Sequence, residues 1–382
     1  GIVLLLVVAV AAFFVFQYPN MRFNKLTTQA NEKYKAKAYI EAISLLESAV
    51  LIKPDSFETI RLLGNAYTES EQYLNAVEVY NRAMELQPND NDLKMKIADC
   101  YYMAGKWPSA INSYKTLTGV MQYQEEALFK IAMSLKESGR VEDAIVAFRD
   151  TLAINDAHST AHYQLAISLE AMEQLEEAEK EYHLAIDTDP KFVEGYETLS
   201  DFYDRREMPE KSAEVLSRLL AWYKPNTTEK SEKVAVLKFK LGEAQYASGA
   251  FEEAVNSFSS VILIKPSVDA FRFLGKAHYK NDKLTAAIDV WRRGLKLDEK
   301  DHDLYFQIAV SQYRLGDLAA SEASYKDALR IKPDYVKALT NLGFLYYQKY
   351  DYEQAQACWK RSLDLNPEQE VVKRKLKEIE KK

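Results

Sequence analysis

Several classes of protein are excluded by what this chain has little of. Its 382 residues include only two cysteines, Cys100 and Cys358, in distant parts of the chain, so neither a disulfide scaffold nor a closely spaced metal-binding pair is available. Fifty basic side chains against fifty-seven acidic ones leave a net charge of −7. There is none of the basic excess that nucleic-acid binding demands, and no nucleic-acid partner is expected. Twelve glycines and ten prolines are few for this length, which argues against a strand-and-turn fold. Catalytic signatures are missing too: there is no P-loop, no glycine-rich dinucleotide fingerprint, no GxSxG and no HExxH. No enzyme, cofactor or metal site is expected. His158 and His162 stand four apart on one helical face without a third ligand, and are expected to be solvated or capping. Both cysteines are expected to be small packing residues.

One long apolar run is present. Residues 2–16 carry no polar side chain, and Gln17-Tyr18-Pro19-Asn20 closes the segment. A helix from Gly1 to Tyr18 would be about 27 Å long, close to the ~30 Å hydrocarbon core of a bilayer. The sequence therefore predicts an N-terminal apolar membrane anchor over 1–22, a single transmembrane helix with the lipid bilayer (or a helical bundle) as its partner. Arg22 and Lys25 follow it, but orientation depends on charges at both ends. The side of the membrane stays open, with a lean towards extracytoplasmic repeats if a basic piece precedes Gly1.

The rest of the chain repeats itself. Lys53-Pro54, Gln87-Pro88, Asp189-Pro190, Lys265-Pro266, Lys332-Pro333 and Asn366-Pro367 each follow an Ala-rich stretch; the first two prolines lie 34 residues apart, as do the last two. Units starting at residues 23, 57, 91, 125, 159, 193, 235, 268, 302 and 336 place six repeats in 23–226 and four in 235–369, separated by an inserted loop at 227–234. A capping helix is expected over 370–382, with Val372, Leu376 and Ile379 on its inner face.

Within these units the eighth residue is always small (Ala30, Gly64, Ala98, Ala132, Ala166, Ser200, Gly242, Gly275, Ala309, Gly343). So is the twentieth (Ala42, Ala76, Ala110, Ala144, Ala178, Ser212, Ala254, Ala287, Ser321, Ala355). Helices approach closely only where neither carries bulk, so these mark the contacts of an antiparallel helix pair. The twenty-fourth residue is a ring or a leucine, as in Tyr80, Phe148, Trp291 and Trp359, expected to fill the space between neighbouring pairs. Gly105, Gly139, Gly249 and Gly316 supply the left-handed stop between the two helices, and proline at position 32 ends the second helix.

This pattern closely resembles the tetratricopeptide repeat (TPR) family: small residues at 8, 20 and 27, large ones at 4, 7, 11 and 24, proline at 32. Unit 2 matches throughout, with Ile60, Leu63, Gly64, Tyr67, Ala76, Tyr80, Ala83 and Pro88. The resemblance implies an all-α, right-handed TPR superhelical solenoid of about ten helix-turn-helix repeats, here preceded by the N-terminal transmembrane helix. Helix A of each unit would line a concave groove.

The groove positions are chemically zoned. Arg61, Asn65, Lys96 and Lys130 are polar or basic; Phe129, Met133, Tyr163 and Ile167 would form an exposed apolar patch; Glu194, Glu197, Asp201 and Asp204 form an acidic stripe. Arg272, Lys276, Gln307, Lys337 and Asn341 occupy places that resemble the carboxylate clamp by which some TPR proteins hold an acidic C-terminus, so five converging donors are expected there. The function expected is a membrane-tethered scaffold or adaptor that binds partner peptides or helices in its groove. The alternative is a structural subunit that self-associates head to tail into a filament, with the apolar N-terminal helix in its core.

Overall fold

The computed structural model describes residues 17–223 and 228–379, and among them every regular element is a helix. Two compact units divide the chain, Gly1–Phe192 and Val193–Lys382, so the boundary falls between the fifth and sixth repeats and not at the insertion. In the first unit the A and B helices alternate as α1 (Tyr18–Lys35), α2 (Tyr39–Ile52), α3 (Phe57–Glu69), α4 (Tyr73–Leu86), α5 (Asn91–Met103), α6 (Trp107–Lys115), α7 (Gln124–Glu137), α8 (Val141–Ile154), α9 (Ser159–Ala171) and α10 (Leu175–Thr188). The second unit holds α11 (Val193–Arg205), α12 (Pro209–Trp222), α13 (Thr228–Ala247), α14 (Phe251–Ile264), α15 (Val268–Lys280), α16 (Leu284–Leu295), α17 (His302–Arg314), α18 (Leu318–Ile331), α19 (Val336–Gln348), α20 (Tyr352–Leu365) and the closing α21 (Glu370–Ile379).

Each A–B turn is made the same way. The fifteenth residue of every repeat has a positive φ: four are glycines, Gly105, Gly139, Gly249 and Gly316, and six are not, Lys37, Glu71, Glu173, Glu207, Asp282 and Tyr350. The residue after it returns its N–H to a carbonyl near the end of the A helix, as in Gln72 N to Tyr67 O at 2.9 Å and Lys106 N to Tyr101 O at 2.9 Å. That bond satisfies a carbonyl the helix end would leave open.

The seam between A and B is dry. Ala30, Ala98, Ala132, Ala166 and Ala309 at position 8, and Ala42, Ala76, Ala110, Ala144, Ala178, Ala254, Ala287 and Ala355 at position 20, are fully buried. The ring at position 24 lies against position 8 of its own repeat, and can also reach the next, as where Phe258 stands 5.6 Å from Phe273. A Cβ added to Gly242 would sit 2.7 Å from the Phe258 ring, and one added to Gly64, Gly275 or Gly343 would collide with Tyr80, Trp291 or Trp359. Both tryptophans stand opposite a glycine, because an indole needs the volume that a Cβ would take.

Two expectations are corrected. The N-terminal transmembrane helix is not supported: among the described residues no helix is long and apolar enough to cross a membrane, and the run 2–16 lies outside them. The first described helix, α1, takes residues 18–22 out of the anchor expected over 1–22. It is amphipathic, burying Phe23 and Ala30 while Arg22 and Lys25 stay exposed, and its charges recur too often for hydrocarbon. The inserted loop at 227–234 is instead mostly helix, since α13 begins at Thr228 and runs unbroken into the seventh repeat. The capping helix is present as α21, where Val372 is buried and Leu376 and Ile379 pack against the last repeat.

Candidate functional site

Stacking uses only part of each A helix, and the side chains left over form three clefts at equivalent repeat addresses. In the first unit Asn65, Thr68, Lys96 and Asp99 line a cleft of about 220 Å³. Asn65 accepts from the Tyr80 hydroxyl at 2.8 Å and from Lys96 Nζ at 3.1 Å. The next repeat reproduces this arrangement: Asp99 accepts from the Tyr114 hydroxyl at 2.6 Å and pairs with Lys130 Nζ at 3.4 Å. Burial, followed by the neighbouring Asp99 carboxylate, pushes the Tyr114 hydroxyl far above its ordinary value. Core rings thus position groove side chains. Arg61 stands on the exposed face of α3, paired with Glu58 at 2.6 Å.

The expected exposed apolar patch is corrected. Tyr163 is buried, its ring edge-on to Phe192 at 5.1 Å. Phe129, Met133 and Ile167 are half-buried, and Phe129 is covered by the His158 imidazole stacked on it at 4.8 Å. Spacing on a helix could not reveal this cover, which comes from the last residue of the same repeat, beyond its B helix.

In the second unit the acidic stripe is partly neutralised. Lys240 Nζ lies 2.7 Å from Asp201 and Lys233 Nζ lies 3.5 Å from Glu197, both lysines coming from α13. Glu194 and Asp204 remain exposed. Asp204, Glu207, Lys240 and Glu243 line a cleft of about 590 Å³. Glu243 titrates above the ordinary carboxylate range, chiefly through burial and then through Asp204. Sequence reading missed Glu243, although it is the ninth residue of its repeat and so shares the address of Asn65 and Asp99.

The five donors of the expected clamp do not act together. Arg272 is committed within the repeat stack, to Asp301 at 2.6 Å and to Asp269. The Asp301 carboxylate it holds caps α17 through the Asp303 and Leu304 amides. Lys276 lies over the Phe273 ring at 4.9 Å. Gln307 is half-buried and Lys337 exposed. Asn341 belongs to a different setting, a cleft of about 480 Å³ walled by Val310, Tyr313, Tyr325, Phe344 and Tyr347. This aromatic cleft shares addresses with the first, the ninth and twelfth residues of one repeat facing the sixth and ninth of the next, and adds Tyr347 at the twelfth.

His162 also departs from expectation. It is not solvated but buried, with Nδ1 2.6 Å from Glu181 Oε2 and Nε2 2.9 Å from the Asp156 carbonyl. His158 does cap α9, accepting from the Ala161 amide at 3.1 Å.

One model described as tetratricopeptide repeat matches residues 61–118, 129–191, 239–302 and 274–336, and a second of the same description matches 336–369. Together they cover more than half of the chain. The chain belongs to the tetratricopeptide repeat family. This TPR chain is 22% identical over 199 residues to human protein O-mannosyl-transferase TMTC1, a match that covers 42% of this chain and 22% of that protein. It is also 22% identical over 136 residues to the TPR repeat-containing protein YpiA of Bacillus subtilis, covering 35% of this chain and 32% of that one. The matches thus span about a third or less of these relatives' own lengths. Among solved structures, a tetratricopeptide repeat protein from Parabacteroides merdae is similar, with a TM-score of 0.44 and 17% identity over 67% of this chain and 99% of that one.

Proposed function

We propose that this TPR chain is a protein–protein interaction scaffold that binds extended or helical partner segments along its A helices and catalyses nothing itself. One observation carries the reading. Three clefts open at the same repeat addresses with different chemistry: amide and ammonium at Asn65 and Lys96, carboxylate at Asp204 and Glu243, aromatic at Tyr313, Phe344 and Tyr347. Positions that stacking leaves unused are free to vary, and varied polar and aromatic side chains on a rigid frame suit recognition. The filament alternative loses one of its two stacking surfaces, since α21 covers the last repeat with Val372.

The test is affinity capture from an extract of the native cell with the wild-type chain and with two variants, Lys96→Ala and Phe344→Ala combined with Tyr347→Ala. Partners held by the wild type should be lost from at least one groove variant. They should survive Arg140→Ala, which removes an exposed side chain at the turn before α8. Capture that ignores both groove variants would end the proposal.

A further inference from the structure

A neutral imidazole has one N–H donor and one bare nitrogen acceptor. Both nitrogens of His162 instead face acceptors: the Glu181 carboxylate at 2.6 Å and the Asp156 backbone carbonyl at 2.9 Å. The ring has no solvent to turn to, since the His162 side chain is 8% exposed and that of Glu181 13%. A backbone carbonyl cannot donate. With Glu181 ionised, both contacts are satisfied only when the ring carries two protons. Removing one leaves a nitrogen lone pair against an oxygen lone pair in a buried place, where an unmade hydrogen bond is costly.

The three groups come from three successive pieces of chain. His162 is on α9, Glu181 on α10, and Asp156 in the turn between α8 and α9. The contacts therefore tie the A and B helices of the fifth repeat to each other and to the end of the fourth. The charged groups facing His162 from these elements are Glu181 and Asp156. One helical turn earlier, His158 faces α7 instead, 3.9 Å from Glu125.

We propose that His162 is a protonation lock: its imidazolium holds the fourth and fifth repeats in register, and loss of that proton as pH rises loosens the fifth repeat. Burial works to lower the His162 pKa, but the hydrogen bonds to Glu181 and to the Asp156 carbonyl outweigh it and leave the value raised above 6.5. A raised folded-state pKa means that the stabilisation is complete below the unfolded value of 6.5 and fades as pH rises through the folded value. His278 supplies an internal contrast. Burial and then the adjacent Lys283 push it below 6.5, so the values of two histidines of one chain are shifted in opposite directions. Because each repeat is stabilised mainly through its neighbours, loosening the fifth repeat also weakens its junction with the fourth, where Phe129 lies.

The experiment is a nitrogen-15 titration of the imidazoles in the full chain, with the His162 signal assigned by its loss in His162→Gln. The His162 midpoint should lie above 6.5 and that of His278 below it. In Glu181→Gln the His162 midpoint should fall by about one pH unit or more, the size of shift a carboxylate at this distance causes. Hydrogen exchange of residues 159–188, corrected for intrinsic rate, should accelerate in the wild type above the His162 midpoint. A His162 midpoint at or below 6.5 would overturn the lock; so would the absence of any imidazole midpoint that falls in Glu181→Gln, a result that stands even if His162→Gln fails to fold. Exchange over 159–188 that stays flat across the titration would do the same.

Discussion

In repeats 2, 3 and 5, all in the first unit, the ring at position 24 is a tyrosine. Its hydroxyl donates to a groove side chain of its own A helix: Asn65, Asp99 and Glu170 respectively. In repeats 8 and 10, in the second unit, the ring is tryptophan, and its N–H donates to a backbone carbonyl instead, Arg272 O or Thr340 O, both at 3.2 Å. The two solutions fill the same seam, with different consequences outside it. A tyrosine core recruits a polar groove residue and fixes it in place. A tryptophan core satisfies itself on the main chain and leaves position 9 to other chemistry, so Phe344 stands edge-on to Trp359 and helps to wall the aromatic cleft. Core ring identity thus decides how much of the groove is committed to structure.

The bluntest way to break this comparison is to empty the seam. Trp291→Ala should cost about 3–5 kcal/mol, read by denaturant unfolding of the intact chain. An effect below about 1 kcal/mol would mean that the indole does not fill the A–B contact. A sharper version trades one solution for the other. Gly275→Ala should cost roughly 1–3 kcal/mol by overpacking against Trp291. Adding Trp291→Tyr should recover part of that loss, because it recreates the Ala-and-Tyr pairing of Ala166 with Tyr182. Purely additive costs in the double-mutant cycle would refute size matching across the seam.

The turns allow a smaller test. Gly139 has φ of 81° and open space around its Cα, so Gly139→Ala should cost about 1 kcal/mol through the backbone alone. At the same address Glu173 is held at φ 59°, and Glu173→Gly should cost nothing or stabilise slightly. If both changes destabilise equally, side-chain contacts and not backbone conformation govern these turns.

The smallest expected effect concerns acid. Glu322 joins the ninth repeat to the tenth, bonded by Lys326, by Lys349 at 2.6 Å and by the Tyr346 hydroxyl. The hydrogen bonds from Lys326 and then Lys349 bring its pKa down from 4.5 to about 2. A depressed folded-state value means that the stabilisation is present above pH 4.5 and is lost as pH falls towards about 2, the reverse of the His162 lock. Lys349→Ala should flatten the loss of stability in that window. Because two of the three partners remain and both lysines are exposed, the change should be modest. An unaltered acid limb would show that the Lys349 contact is spent on solvent.

The repeat was legible because its signals are local and recur. Small residues at positions 8 and 20 and proline at 32 located the A helices that begin at Phe57, Asn91, Ser159, Val193, Val268, His302 and Val336. The matching of glycine to tryptophan, Gly275 with Trp291 and Gly343 with Trp359, was also in the sequence, sixteen positions apart, but only the packed seam explains it. Much less of the site was legible. Helical spacing placed Tyr163 on an outward face, whereas Phe192 closes over it from the following turn. Arg272 had the right type and position for a free donor, yet Asp301, at the far end of its own repeat, holds it.

The sequence by itself determined the helix pairs, their length, their turns and the residues that meet at each seam. All of these depend on contacts within about one 34-residue unit, whose periodicity the chain states ten times. Tertiary structure decided which outward side chains remain available, that residues after Thr228 extend a helix, and that His162 sits between two acceptors. These depend on which neighbour the packing brings from another helix or turn, within a repeat or beyond it, and a side chain of the right type is withdrawn from binding whenever that neighbour carries its hydrogen-bonding or charge complement.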